Sequence, residues 1–203
     1  MLRTSALLLV VAMPVTLAAC GGSDPEPAAT ATAPATTATT AAGPQLGPAF
    51  GSMDDLPGVL KSSPPWDANA DRLQQRLRAI GLPALSEEGQ VLHTHQHLNL
   101  FVDGEEVPVA ADIGIAADRT FISPLHTHEP QPGTAPDGIM HVESPTQMDF
   151  TLGQFFAVWG VPLSKRCLGN ECAKGDRVLR TWIDGKPLDA DPTRLVLTST
   201  RRS

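Results

Sequence analysis

The chain has 203 residues, with 15 Lys plus Arg against 22 Asp plus Glu, a formal charge of −7, and only 4% aromatic residues. No Lys/Arg cluster exists to neutralise a phosphate backbone, so nucleic acid is not expected as a partner. Three cysteines are too few for a disulfide-dense scaffold, and beyond the N-terminus no apolar run approaches the length of a membrane span.

Arg3 precedes an apolar run from Ala6 to Leu17, interrupted by Pro14 and Thr16 and closing on Leu17-Ala18-Ala19-Cys20-Gly21. The run is too short to cross a bilayer and ends in small residues, the pattern of a cleaved signal peptide over residues 1–19. Its end resembles the bacterial lipobox, and that resemblance implies a diacylglycerol on Cys20. The expected location is the extracytoplasmic face of the cell membrane, with the membrane itself a partner through the lipid anchor. Removal of the leader takes away one base, Arg3, and no acid, so the mature charge becomes −8. Residues 28–42 contain only Ala, Thr and Pro34. Such a segment has nothing to bury, and residues 20–52 read as a lipidated cysteine followed by a disordered tether. This leaves 53–203 as one domain, large enough for a self-sufficient core.

Asp67 or Asn69 is placed to cap a helix running to about Ile80, with Leu73, Leu77 and Ile80 on one face and Gly81 and Pro83 ending it. Leu98 to Val102 reads as a strand entering an Asp103-Gly104 turn, with a returning strand over Val107 to Ile115. Pro108 would put that strand at a sheet edge. Asp137-Gly138 reads as a turn before a strand over Ile139 to Glu143. Thr151 and Gln154 form a capping box opening a second helix, whose Phe155, Phe156, Val158 and Trp159 read as core and which Gly160 terminates. Leu179-x-x-Trp182-Ile183-Asp184-Gly185 repeats the pattern of the first hairpin, and Arg194 to Thr198 reads as a last strand. The expected fold class is α+β: a small mixed sheet of short strands and hairpins with one or two helices, in a hairpin–helix–hairpin order that is β-grasp-like. Cys167 and Cys172, four residues between them, suit a small disulfide loop outside the cytoplasm. A metal or redox role fits that spacing less well.

All six histidines lie between residues 93 and 141. In a strand, alternate side chains share a face about 6.6–7 Å apart. His93, His95 and His97 would therefore project from one side, with Leu98, Leu100 and Val102 on the other. His126 and His128 share a face opposite Leu125, and His141 shares one with Glu143 opposite Met140 and Val142. Three segments thus repeat one design of imidazole outward and aliphatic inward. Imidazole suits zinc and copper, and neighbouring strands lie close enough for rings from two strands to share an ion. The ligand set read from the sequence is His93, His95, His97, His126, His128, His141 and Glu143, with Glu129 a further oxygen donor and His93 at the end of the strand where fraying is expected. Met140 and Met148 suit either soft ligation of Cu(I) or the core. Thr94, Gln96 and Thr127 read as polar strand residues or as supports for the ligands.

His93-Thr-His-Gln-His-Leu-Asn-Leu-Phe-Val-Asp-Gly104, Ser123-Pro-Leu-His-Thr-His128, Gly138-Ile-Met-His-Val-Glu-Ser-Pro145, Phe150-Thr-Leu-Gly-Gln-Phe-Phe156 and Val158-Trp-Gly-Val-Pro-Leu163 resemble an uncharacterised group of His-rich, secreted or membrane-anchored bacterial proteins. The resemblance spans roughly residues 90–200 and implies no activity. His126-Thr-His-Glu129 is similar to part of the first cupin motif, without its remaining glycines and acids.

The functional expectation is a tethered, extracytoplasmic protein that binds copper or zinc for sequestration, or for delivery to and from a metal donor or acceptor protein. The alternative is a His-ligated metalloenzyme, either a zinc hydrolase or hydratase or a cupin-like oxygenase, in which Glu143 or Glu129 would act as base. A metal-free interaction module would give the histidines no reason to keep phase across three segments.

Overall fold

The computed structural model describes residues 43–129 and 137–197, together with the backbone of 6–12. Its elements, in order, are β1 (Ala6–Ala12), α1 (Leu73–Ala79), β2 (Leu92–Val102), β3 (Glu105–Val107), β4 (Leu125–His126) and β5 (Ile139–Ser144). These are followed by α2 (Leu152–Trp159), β6 (Cys167–Leu168), β7 (Glu171–Cys172), β8 (Val178–Ile183), β9 (Lys186–Leu188) and a 3-10 turn at Pro192–Arg194. The fold is α+β. Seven strands form one sheet in the order β4-β5-β2-β1-β8-β9, with β3 paired to β2, and β6 and β7 form a separate hairpin.

Alternation in β2 sets the two faces of the sheet. Leu92, Gln96, Leu98 and Leu100 are buried, whereas His93 and His95 are exposed and His97 is half-buried. On the buried face, Met140 and Val142 of β5 and Leu125 of β4 join them, each fully enclosed. The β2–β3 and β8–β9 hairpins turn on Asp-Gly pairs with positive φ at each residue: Asp103 at 54° and Gly104 at 90°, then Asp184 at 48° and Gly185 at 75°. These angles match the right-handed twist of the flanking strands. The two hairpins flank α2 in the chain, but β4 and β5 extend the sheet beyond β2, so it is larger than hairpin–helix–hairpin alone.

Thr151 caps α2 as its sequence predicts: its Oγ1 accepts from the Gln154 amide, and Gln154 Oε1 accepts from the Thr151 amide. Apart from Gln154, every residue of α2 is buried, so the helix forms the centre of the core against α1 and β4. Trp159 meets Trp66 edge to face with ring centroids 6.2 Å apart. The loop before β4 runs very close to its neighbours, because a Cβ at Gly114 would lie 2.4 Å from the Leu125 carbonyl oxygen and 3.0 Å from Val158 Cγ1.

Several expectations are corrected. α1 is not capped by Asp67 or Asn69; it begins at Leu73 behind Arg72, which sits in the left-handed region at φ 53° and makes no side-chain cap. The preceding residues instead wrap the buried guanidinium of Arg76, which donates to the carbonyls of Asn69, Asp71, Pro57 and Val158. The Asn69 amide is used on Gly58 O at 2.6 Å. Val158 O lies at the C-terminal end of α2, where a cation is favoured. The returning strand ends at Val107, because Pro108 offers no N–H and the chain turns through Asp112 (φ 58°) and Gly114 (φ 76°). No strand forms over Arg194 to Leu197: the 3-10 turn occupies Pro192–Arg194, and Leu195 and Val196 make single bridges to Leu46 and Thr151. Thr198 lies outside the described residues. Within the segment read as tether, Gly47 donates to Arg194 O at 2.7 Å and Phe50 packs on the core.

The apolar run read as part of a leader has a structure too. β1 pairs antiparallel with β2 (Leu8 opposite Phe101) and parallel with β8 (Leu8 opposite Arg180). A short Leu/Val run suits a buried strand as well as a leader core, and periodicity does not separate the two. Cys20 and the tether to residue 42 lie outside the described residues. Among the described residues no helix is long and apolar enough to cross a membrane.

Replacing Thr151 with Ala removes one half of the capping box and leaves an orphan N–H at a buried helix end. Urea denaturation should show a loss of about 1 kcal/mol, with the denaturant slope unchanged.

Candidate metal centre

Strand register assembles the histidines. His95 of β2 stands directly opposite His141 of β5, and His141 directly opposite His126 of β4, so three imidazoles form a row across three strands. One step along, His93 stands opposite Glu143. Directly opposed side chains start about 4.5–5.5 Å apart at Cβ, and long side chains close the remaining gap. The centroids of His95 and His141 are 4.4 Å apart, as are those of His128 and His141; His126 stacks on His141 at 5.1 Å with 18° between planes.

Two ligand groups result, one of His126, His128, His141 and Glu143 and one of His93, His95 and Glu143, the donor atoms within each lying within 4.8 Å of one another. In the first, His126 Nε2 and His128 Nε2 are 3.1 Å apart. In the second, His93 Nε2 and His95 Nε2 are 3.2 Å apart. Two donors at about 2.0–2.1 Å from one tetrahedral ion stand about 3.3 Å apart, so both pairs suit a shared ion.

Two ring orientations are fixed by neighbours. His126 Nδ1 donates to Ser123 O at 2.9 Å, and His141 Nδ1 donates to Glu143 Oε1 at 2.9 Å. Each leaves the Nε2 lone pair as the available metal donor, the usual arrangement in which a carbonyl or carboxylate holds a ligating imidazole.

Glu143 lies beneath the rings with its side chain 2% exposed. Burial opposes its ionisation. The His141 hydrogen bond and the nearby His126 and His93 outweigh that and hold the carboxyl below its ordinary range. Its Oε2 is buried with no hydrogen-bond partner among the described residues. Burial pushes His126 down to about 4, assisted by His128 and His141 and opposed by the Ser123 hydrogen bond and Glu143. Burial lowers His95 as well, together with His141 and His93. Neutral imidazole is the form that binds a metal.

The remaining candidates sort by position. His97 faces the same way as His93 and His95 but stands opposite Ile139, with its Nδ1 3.1 Å from Asn99 Nδ2, and it belongs to neither group. His93, at the expected frayed end, is instead paired and within 3.2 Å of Glu143 Oε1. Glu129 is exposed and turned to Arg119 at 3.5 Å, away from the cluster. The carboxylate that does approach the first group is Glu88, 3.2 Å from His128 Nε2 and 4.0 Å from His126 Nε2. Sequence reasoning missed it because it precedes β2 in a loop, where no periodicity points to its target. Met140 is fully enclosed in the core on the opposite face, and Met148 is 40% exposed. Thr127 is structural, since its hydroxyl accepts from the Ile113 amide and donates to Ala110 O.

The sheet face carrying the rings is open: the side chains of His93 and His95 are each 44% exposed and that of His128 40%. Two surface clefts, one along β8 and β9 and one between Phe50–Asp54 and Pro162–Ser164, are lined by other residues. Cys167 and Cys172 are joined by a disulfide across the β6–β7 hairpin, with S–S 2.12 Å. The chain matches no protein-family model, no curated protein and no solved structure.

The folded state disfavours protonation of His126, while the unfolded chain takes up that proton below its ordinary value of 6.5. Stability of the metal-free protein should therefore decline as pH falls from 6.5 towards 4, by about 3 kcal/mol at this site. Urea denaturation in EDTA at pH 7.5 and 4.5 checks this, and the loss should shrink in His126→Asn.

Proposed function

We propose that this protein is a membrane-tethered, extracytoplasmic metal-binding lipoprotein that sequesters or delivers copper or zinc. The supporting observation is the row His95–His141–His126 across three adjacent strands, in which His126 and His141 join His128 and Glu143 in a four-residue donor group. In this reading Cys20 bears the lipid and the Ala/Thr/Pro segment holds the domain off the membrane, within reach of a metal donor or acceptor protein. The imidazole and carboxylate donors of both groups suit Zn²⁺ and Cu²⁺. Solvent-facing rings also suit a protein that passes its ion on.

A second reading draws on the three-residue group, which leaves coordination positions open as a catalytic zinc site does. It calls for CO₂ hydration or ester hydrolysis by the zinc-loaded protein that is lost in His95→Ala.

Equilibrium dialysis against Zn²⁺ or Cu²⁺ at neutral pH, followed by metal analysis, tests the main reading. At least one ion per chain is expected, and less than about 0.2 would count decisively against it. His126→Ala with His128→Ala should weaken binding at least about 10-fold, whereas His97→Ala should leave it unchanged.

A further inference from the structure

The two donor groups share one residue, Glu143, whose two oxygens face different rings. Oε1 lies 3.2 Å from His93 Nε2 and 3.8 Å from His95 Nε2. Oε2 lies 3.9 Å from His126 Nε2. Thus Oε1 faces His93 and His95 and accepts from His141 Nδ1 at 2.9 Å, Oε2 faces His126, and among the described residues Oε2 is a buried acceptor without any hydrogen-bond donor. A buried carboxylate oxygen left unpartnered is costly, and a cation bound by His126 and His128 would satisfy it. Around Oε1, the separations of 3.2, 3.2 and 3.8 Å to and between the two rings bracket the spacing of donors about one tetrahedral ion.

We propose that the sheet face holds two divalent ions bridged by the Glu143 carboxylate, one at each oxygen. The inference rests on the metal-binding reading above and extends it. The two positions are unequal. The ion at Oε2 is held by His126, His128 and His141, beside Glu88, with His126 fully enclosed. The ion at Oε1 is held by His93, His95 and the carboxylate alone, on rings nearly half exposed. A three-donor position leaves room for water or for an incoming ligand from another molecule. The first ion is therefore the retained one, and the second is the exchangeable cargo. Filling the retained position fixes Glu143 through Oε2 and pre-orients Oε1, so the second ion binds to a site already built.

The test uses the full chain. Zn²⁺ is titrated in competition with nitrilotriacetate, and bound metal is counted by mass spectrometry after desalting. Saturation at two ions is expected, one of them lost at a chelator concentration at least about 10-fold lower than the other. The double variant His93→Ala, His95→Ala, altered only at exposed positions, should saturate at one ion and lose the weak class. Loading with Cu²⁺ should give the half-field EPR transition of a spin-coupled pair, absent from the double variant. Saturation of the unaltered chain at one ion would overturn the bridged pair while leaving the metal-binding function standing; saturation at none would remove both. Two ions in the double variant would place the second ion elsewhere and overturn the proposal. Two copper ions with isolated-spin spectra only would overturn the bridge.

Discussion

The chemistry of this sheet face depends on a carboxylate placed where water does not reach it. Glu143 has its side chain sealed beneath imidazole rings, and an ion so placed loses several kcal/mol of hydration. Only positive charge or donated hydrogen bonds can offset that. The structure supplies one firm donor, the Nδ1–H of His141. It leaves the other oxygen without one. The surrounding rings respond in the opposite sense: enclosure disfavours the imidazolium form of His126 and His95. With His126 and His95 disfavoured as imidazolium and the Glu143 carboxyl held below its ordinary range, that corner of the sheet face would suit a cation other than a proton.

The core beneath the site makes that arrangement rigid. The aliphatic face of the same three strands, Leu98, Leu100, Leu125, Met140 and Val142, is enclosed completely or almost so, with α2 packed against β4. A one-residue slip in any of these strands would exchange ring and aliphatic faces. The core therefore enforces the register that lines up His95, His141 and His126. On the far side of α2, the guanidinium of Arg76 gathers carbonyls from the 57–71 segment and from the helix end, which holds the N-terminal part of the domain against the helix.

Much of this was legible in the sequence because it rests on local rules. Period-two alternation in 93–102, 125–128 and 139–143 announced which face each side chain would take, the Asp-Gly pairs at 103–104 and 184–185 announced tight hairpins, and Thr151 with Gln154 announced a helix start. Facing direction is a local property, but which rings meet is set by register between strands. That is why His97, in phase with its neighbours, falls beside Ile139 and outside both donor groups. Glu88 and Arg76 were invisible for a related reason: one reaches its target from a loop and the other finds carbonyls up to 82 residues away, and neither contact leaves a periodic trace. The shortened β3 and the missing final strand show a proline and a 3-10 turn prevailing over apolar runs that looked extended.

The strand formed by Ala6–Ala12 has its own consequence. It joins two otherwise separate sheets, β4-β5-β2-β3 on one flank and β8-β9 on the other. Its partners in β2 run from His97 to Phe101, whereas the rings of both donor groups sit on β2 before that stretch and on strands beyond it. Trimming the chain at Cys20 would thus unzip the middle of the sheet, baring one backbone edge on each flank to water or to another extended segment. The histidine flank would keep every pairing that aligns its rings. Loss of that central ribbon would therefore leave standing the three strands on which the two histidine–glutamate groups lie.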